Sequence, residues 1–125
     1  MGWKHVIVIR NLDEWGQTLS ELLEPYKESF TNDNSKWDWY ESSNKLLINC
    51  MTTEPTKSCR VKELGFNYEF DNYDDVSIVT PDGEWHDRDD CDGWFGIVYN
   101  SADFLFGFIK LFPPNAVVDF VDYHI

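Results

Sequence analysis

Two histidines sit beside carboxylates in a way that invites chemistry. His86 lies among Glu84, Asp87, Asp89, Asp90 and Cys91, and His124 follows Asp122. Imidazole, carboxylate and thiolate are all competent zinc ligands. An imidazole next to a carboxylate is also the common acid–base pair. If the strands carrying them are neighbours, His86, His124 and Asp122 converge on one metal ion or one proton-transfer dyad. None of the usual spacings (HExxH, paired CxxC, HxxxH) occurs, so the motif evidence for a metal is thin. The plainer account is a strand-end hydrogen bonder and a surface histidine. Asp90-Cys-Asp92-Gly93 matches part of a calcium loop, but the first ligand position would be Arg88 and the twelfth Tyr99, which excludes an EF-hand. There is no GxSxG, P-loop or GxGxxG, so no nucleophile elbow or phosphate cradle is expected. No cofactor is expected either.

The stronger signal is a series of acids: Glu69, Asp71, Asp74, Asp75, Asp82, Glu84, Asp87, Asp89, Asp90 and Asp92, ten carboxylates within 24 residues. Residues 63–125 carry fourteen acids and two bases, Arg88 and Lys110, whereas residues 1–62 carry nine acids and eight bases. Charge selects partners, not folds. An anionic surface repels nucleic acid and anionic membranes and is drawn to basic grooves. A row of carboxylates can imitate phosphates spaced roughly 3.4 Å apart along a DNA strand. Tyr73, Trp85 and Trp94 lie within or beside the series and are the expected anchors of such a contact. The plainer account is that these acids keep an aromatic-rich protein in solution. The cluster Lys57, Arg60 and Lys62 is the basic exception, and it reads as a helix face that balances nearby acids.

The chain of 125 residues, 42% hydrophobic and 17% aromatic, suffices for one domain spanning 1–125 with a core built on large rings. Cys50, Cys59 and Cys91 lack paired spacing and read as thiols of a reducing compartment. No charged leader precedes an apolar run at the N-terminus, and no apolar stretch reaches ~18 residues. The expected location is the cytoplasm.

Elements follow from the periodicity. Residues 5–10 read as a buried strand. Asn11 or Asp13 would cap a helix through Trp15, Leu19, Leu22 and Leu23, ended by Pro25. Residues 37–40 and 45–50 read as a hairpin, and Thr53 to Leu64 as a short helix stopped by Gly65. Residues 66–70 are extended. Residues 76–80 and 84–86 form a hairpin around Pro81-Asp82-Gly83. Ser101 would cap a helix to Phe112, with Phe104, Leu105, Phe108, Ile109 and Phe112 on one stripe, and residues 116–123 form the last strand. The sum is an α+β fold with a mostly antiparallel sheet and two to three helices. A strand–helix start and a helix–strand finish suggest a ferredoxin-like frame with extra hairpins.

Thr80-Pro-Asp-Gly-Glu-Trp-His86, Gly93-Trp-Phe-Gly96 and the closing Val118-Asp-Phe-Val-Asp-Tyr-His-Ile125 together resemble a family of small proteins of phages and bacterial mobile elements. Arg60-Val-Lys-Glu-Leu-Gly-Phe66 and Trp37-Asp-Trp-Tyr40 fit the same pattern. The chain departs from it in the acid-rich loop 87–92 and at Tyr123, where a cysteine is expected. The resemblance carries no catalytic residue. It implies a mobile-element origin, and small acidic phage proteins often block host defence nucleases, as anti-CRISPR and anti-restriction proteins do; that step is analogy. The expectation is therefore a non-enzymatic, acidic inhibitor acting in the host cytoplasm. It would occupy the basic nucleic-acid groove of a nuclease such as a CRISPR effector through Asp71, Asp74, Asp75, Asp82, Glu84, Trp85, Asp87, Asp89, Asp90, Asp92 and Trp94, without binding nucleic acid or membrane itself. The alternative is a metal-binding protein or metal-dependent enzyme using His86, His124 and Asp122.

Overall fold

The computed structural model describes residues 3–11, 18–66, 76–87 and 102–124. In chain order the elements are β1 (Trp3–Arg10), α1 (Leu19–Leu23), a 3-10 turn at Glu24–Tyr26, β2 (Trp39–Ser42), β3 (Leu47–Asn49) and β4 (Glu54–Pro55). Then come β5 (Ser58–Arg60), a 3-10 turn at Val61–Glu63, β6 (Leu64–Phe66), β7 (Val76–Val79), β8 (Trp85–His86), α2 (Ala102–Ile109) and β9 (Val117–His124). The fold is α+β with a mostly antiparallel, mixed sheet. The main sheet runs β2-β9-β1-β7-β8, with β5 also paired to β9; a small second sheet runs β4-β3-β6. The first and last strands lie side by side over eight residue pairs. The β1–β7 pair is parallel. That pair separates the sheet from an all-antiparallel ferredoxin-like frame.

The three central strands are the β-branched runs. Val6, Ile7, Val8 and Ile9 of β1, all of β7, and Val117 through Tyr123 of β9 are buried. Strands covered on both faces are mostly apolar and read as near-continuous runs; the buried polar members Ser77, Asp119 and Asp122 each have a hydrogen-bond partner. Alternate residues feed two cores. Ile7, Ile9, Ile78, Val118 and Phe120 meet Leu105, Phe106 and Ile109 of α2 with Leu47, Val61 and Leu64. Val6, Val8, Val79, Val121 and Tyr123 meet Leu22, Leu23 and Trp37, with Leu19, Tyr26, Tyr40 and Trp85 packed alongside.

Three sequence expectations are corrected. Residues 37–50 are not a hairpin: β2 pairs with β9, and β3 joins the second sheet. Trp37 belongs to one core while Leu46 and Leu47 belong to the other, so the two arms cannot share a sheet face. Residues 53–64 are not a helix. Thr53 takes φ 60°, and Ser58, Arg60 and Lys62 are exposed while Cys59 and Val61 are buried. That alternation has a period of two, and Cys59 pairs with Val118 in β5. The basic cluster therefore loses its helix face; Arg60 donates to Asn115 Oδ1 at 3.3 Å. The first helix is shorter than expected. Thr18 caps it, its hydroxyl accepting from Glu21 N at 3.2 Å, and Pro25 falls in the following 3-10 turn. The second helix buries Phe106 in addition to the expected Leu105 and Ile109. Asp13, Trp15, residues 67–70 and the Ser101 cap lie outside the described residues.

No helix among the described residues is long and apolar enough to cross a membrane.

Candidate functional site

The Asp82-Gly83 turn forms as its composition requires. Gly83 has φ +86°, a backbone conformation glycine adopts without steric cost. Gly83 N donates to Thr80 O at 2.8 Å, and Asp82 Oδ1 accepts from Glu84 N at 3.1 Å and from the Thr80 hydroxyl. The turn places Asp82 and Glu84 in solvent. The returning strand β8 is the terminal strand of the main sheet.

Past the turn, side chains alternate. Trp85 points to the core that holds Tyr26 and Tyr123, with ring centroids at 5.1 and 5.3 Å. Asp87 follows on the same face, where Oδ1 accepts from Ser77 Oγ at 2.7 Å and from Trp85 Nε1 at 2.9 Å. Lys36 Nζ lies 3.6 Å from Asp87 Oδ2 and 5.9 Å from the Trp85 ring centroid. Burial pushes the Asp87 carboxyl up, but the bonds from Ser77 and Trp85 and the Lys36 charge outweigh it and hold the group below its ordinary value. Tyr26 closes the cluster by donating its hydroxyl to Gly83 O. Burial first, and then the Glu84 charge, raise the Tyr26 phenol. Trp85 is thus half-buried and clamps the hairpin to the sheet. Asp82 and Glu84 remain the outward charges, and Asp87 is a half-exposed carboxylate with three partners.

The histidines do not converge. His86 and His124 are on β8 and β9, with β7 and β1 between them. His86 aligns through Ile78 and Ile7 with Phe120, four residues short of His124. Strand spacing and rise put the two imidazoles roughly 20 Å apart. Each has its own partner. Thr80 has a single hydroxyl proton and gives it to Asp82, so His86 Nε2–H donates to Thr80 Oγ1 at 3.1 Å. His124 Nδ1–H donates to Asp38 Oδ1 at 3.0 Å. Asp122 is bound to His5 instead: His5 Nδ1–H donates to Asp122 Oδ1 at 2.7 Å, and Lys45 Nζ donates to Asp122 Oδ2 at 3.3 Å. The alternative in which His86, His124 and Asp122 meet at one site therefore does not form. No group of three or more His, Cys, Asp or Glu placed to hold a metal occurs among the described residues.

Of the expected contact residues, the structure brings Asp82, Glu84, Trp85 and Asp87 onto one hairpin. Asp71, Asp74, Asp75, Asp89, Asp90, Asp92, Tyr73 and Trp94 lie outside the described residues. Sequence reasoning missed His5, Lys36, Lys45 and Tyr26. Only the folded structure reveals them, because their partners stand from 51 to 117 positions away. No family model, curated protein or solved structure matches this chain.

Proposed function

We propose that this protein is a non-enzymatic binding module whose acidic hairpin edge enters a basic, nucleic-acid-binding groove on another protein. One observation carries the reading. The ends of the β7–β8 hairpin are side by side, fixed by the Ser77–Asp87 bond, at the rim of the sheet. By sequence, Asp71, Asp74 and Asp75 come just before Val76, and Asp89, Asp90 and Asp92 just after Asp87. Two acid stretches separated along the chain therefore attach to one end of one hairpin, while Asp82 and Glu84 mark its other end. Carboxylates concentrated in the sequence on both flanks of one hairpin favour steering toward Lys- and Arg-lined surfaces. The resemblance to phage proteins makes a host defence nuclease, with a CRISPR effector first, the partner class to test.

The test is capture of partners from a bacterial lysate at low and at high salt, followed by competition with duplex DNA. The comparison is between wild type and Glu84→Lys/Asp89→Lys/Asp90→Lys, which leaves the Asp87 clamp in place. We expect the wild type to retain a nuclease at low salt and release it to DNA, and the reversal variant to retain none. Equal retention by the variant overturns the proposal.

A further inference from the structure

At the other edge of the main sheet, three rings stand in one row. Trp39 of β2, His124 of β9 and Trp3 of β1 are directly opposite one another in register, so all three project from the same face. Two strand spacings put the outer rings about 10 Å apart. Trp3 is 49% and Trp39 63% exposed. His124 meets Trp3 edge-on, with centroids 5.6 Å apart, and its Nδ1–H is held by Asp38. Asp38 and Glu41 are exposed beside the row. Tryptophan is the side chain that folding most rewards for burial. Here two of them border a histidine, remain in water, and are flanked by carboxylates.

We propose that the Trp39–His124–Trp3 row, with Asp38 and Glu41, receives basic side chains, arginine above lysine, from a segment of a partner protein. An indole face attracts a cation through its quadrupole, and a guanidinium stacks on it as well. The adjacent carboxylates supply the charge complement and the hydrogen-bond acceptors. The same rings would stack on nucleobases, but phosphates would then approach Asp38 and Glu41 on a chain of net charge −13. A second copy of this chain would bring like charges together. A basic protein segment is the occupant that the charge favours. The site goes beyond the function proposed above: β9 and β1 lie between β2 and the β7–β8 hairpin, the two sites share no residue, and each can fail alone.

The experiment measures the affinity of a fluorescein-labelled arginine–glycine repeat peptide, with a lysine–glycine peptide of equal charge and a single-stranded oligonucleotide alongside. Trp3→Ala/Trp39→Ala keeps every charge. It should weaken the arginine peptide roughly five- to thirtyfold, the sum expected of two exposed cation–π contacts. The lysine peptide should bind less tightly than the arginine peptide. Addition of arginine peptide to the wild type should shift the indole N–H resonances of Trp3 and Trp39. Asp38→Asn/Glu41→Gln, which spares the rings, should also weaken binding and serves if the alanine variant does not fold. Glu84→Lys/Asp89→Lys/Asp90→Lys should still lose affinity when both tryptophans are removed, which distinguishes this site from the hairpin. Unchanged affinity in the tryptophan or the carboxamide variant, an absence of indole shifts, or displacement of the peptide by the oligonucleotide would overturn the proposal.

Discussion

Asp119 and Asp87 feel the same two forces, burial and pairing, and finish on opposite sides of the ordinary carboxylate value. For Asp119, burial outweighs the bond and charge of Arg10, whose Nε lies 2.6 Å away, and the carboxyl is raised. For Asp87, three partners outweigh burial, and the carboxyl is lowered. The signs of their pH effects differ accordingly. A raised Asp119 holds its proton more tightly in the folded state, so its share of stability falls as pH rises through the folded value and grows on acidification. A lowered Asp87 contributes fully above the unfolded value near 3.8 and loses that share as pH drops through the folded one. Thermal melts across the acid range should show Asp119→Asn losing stability more steeply than wild type, and Asp87→Asn less steeply. Parallel profiles would contradict both assignments. Removing Arg10 instead strands a buried carboxylate, and Arg10→Met should cost about 3 kcal/mol in denaturant unfolding at neutral pH. The thiols divide as well. Cys50 is exposed, whereas burial and then Glu63 push Cys59 up to about 11. Iodoacetamide should label Cys50 in the folded protein and Cys59 only once it unfolds, as peptide masses will report.

The elements differ in how much tertiary packing was needed to define them. Gly107 sits within α2, exposed, with nothing within 4 Å of an added Cβ. Gly107→Ala should therefore stabilise the protein by about 0.5–1 kcal/mol, a rise of a few degrees in Tm. Gly83 has equal space but φ +86°, and Gly83→Ala should cost about 1–2 kcal/mol. An unchanged Tm in either variant would contradict the local geometry. The contrast explains what was legible in the chain. The strands over 5–10, 76–79 and 117–123 could be read because burial on both faces favours dense β-branched and aromatic runs, here interrupted only by Ser77, Asp119 and Asp122. The Asp82-Gly83 hairpin could be read because its turn residues dictate the backbone. Residues 53–64 were misread because Glu54-Pro55 imitates a helix start, while the deciding alternation of Cys59 and Val61 spans too few residues to stand out. Residues 37–50 were misread because a local hairpin and two strands of different sheets look alike until β9 claims β2. The site divides in the same way. Asp82, Glu84, Trp85 and Asp87 came from one short segment. The partners of His5, His124 and Asp122 came from register between distant strands, which no local pattern encodes.

At the scale of the whole molecule, folding redistributes a charge that looks segregated along the chain. Arg10 reaches Asp119, Lys36 reaches Asp87 and Lys45 reaches Asp122, each a base of the first half joined to an acid of the second. These pairs soften the contrast between the halves without changing the net charge of −13. The sum of unbalanced carboxylates still repels itself in the compact state more than in the expanded one. Salt acts on the two contributions unequally. The repulsion runs between exposed groups, many of them farther apart than the ~10 Å screening length at 0.1 M, and is largely suppressed. The Asp119 and Asp122 carboxylates are buried, at 8% and 6% side-chain exposure, so their pairs are screened far less. Of these three pairs, Lys36–Asp87 is the one with both partners exposed, so salt weakens it most, and exposed pairs contribute at most ~1 kcal/mol. Relief of repulsion therefore exceeds loss of attraction, and sodium chloride should raise Tm at neutral pH. The rise should level off once the screening length is shorter than the spacing of surface charges. The same titration near the pI of about 4.3, where the repulsion has gone, should leave Tm flat or slightly lower. A Tm that falls with salt at neutral pH would mean that pairing dominates the surface, and the free anionic edge invoked for partner binding would then be absent.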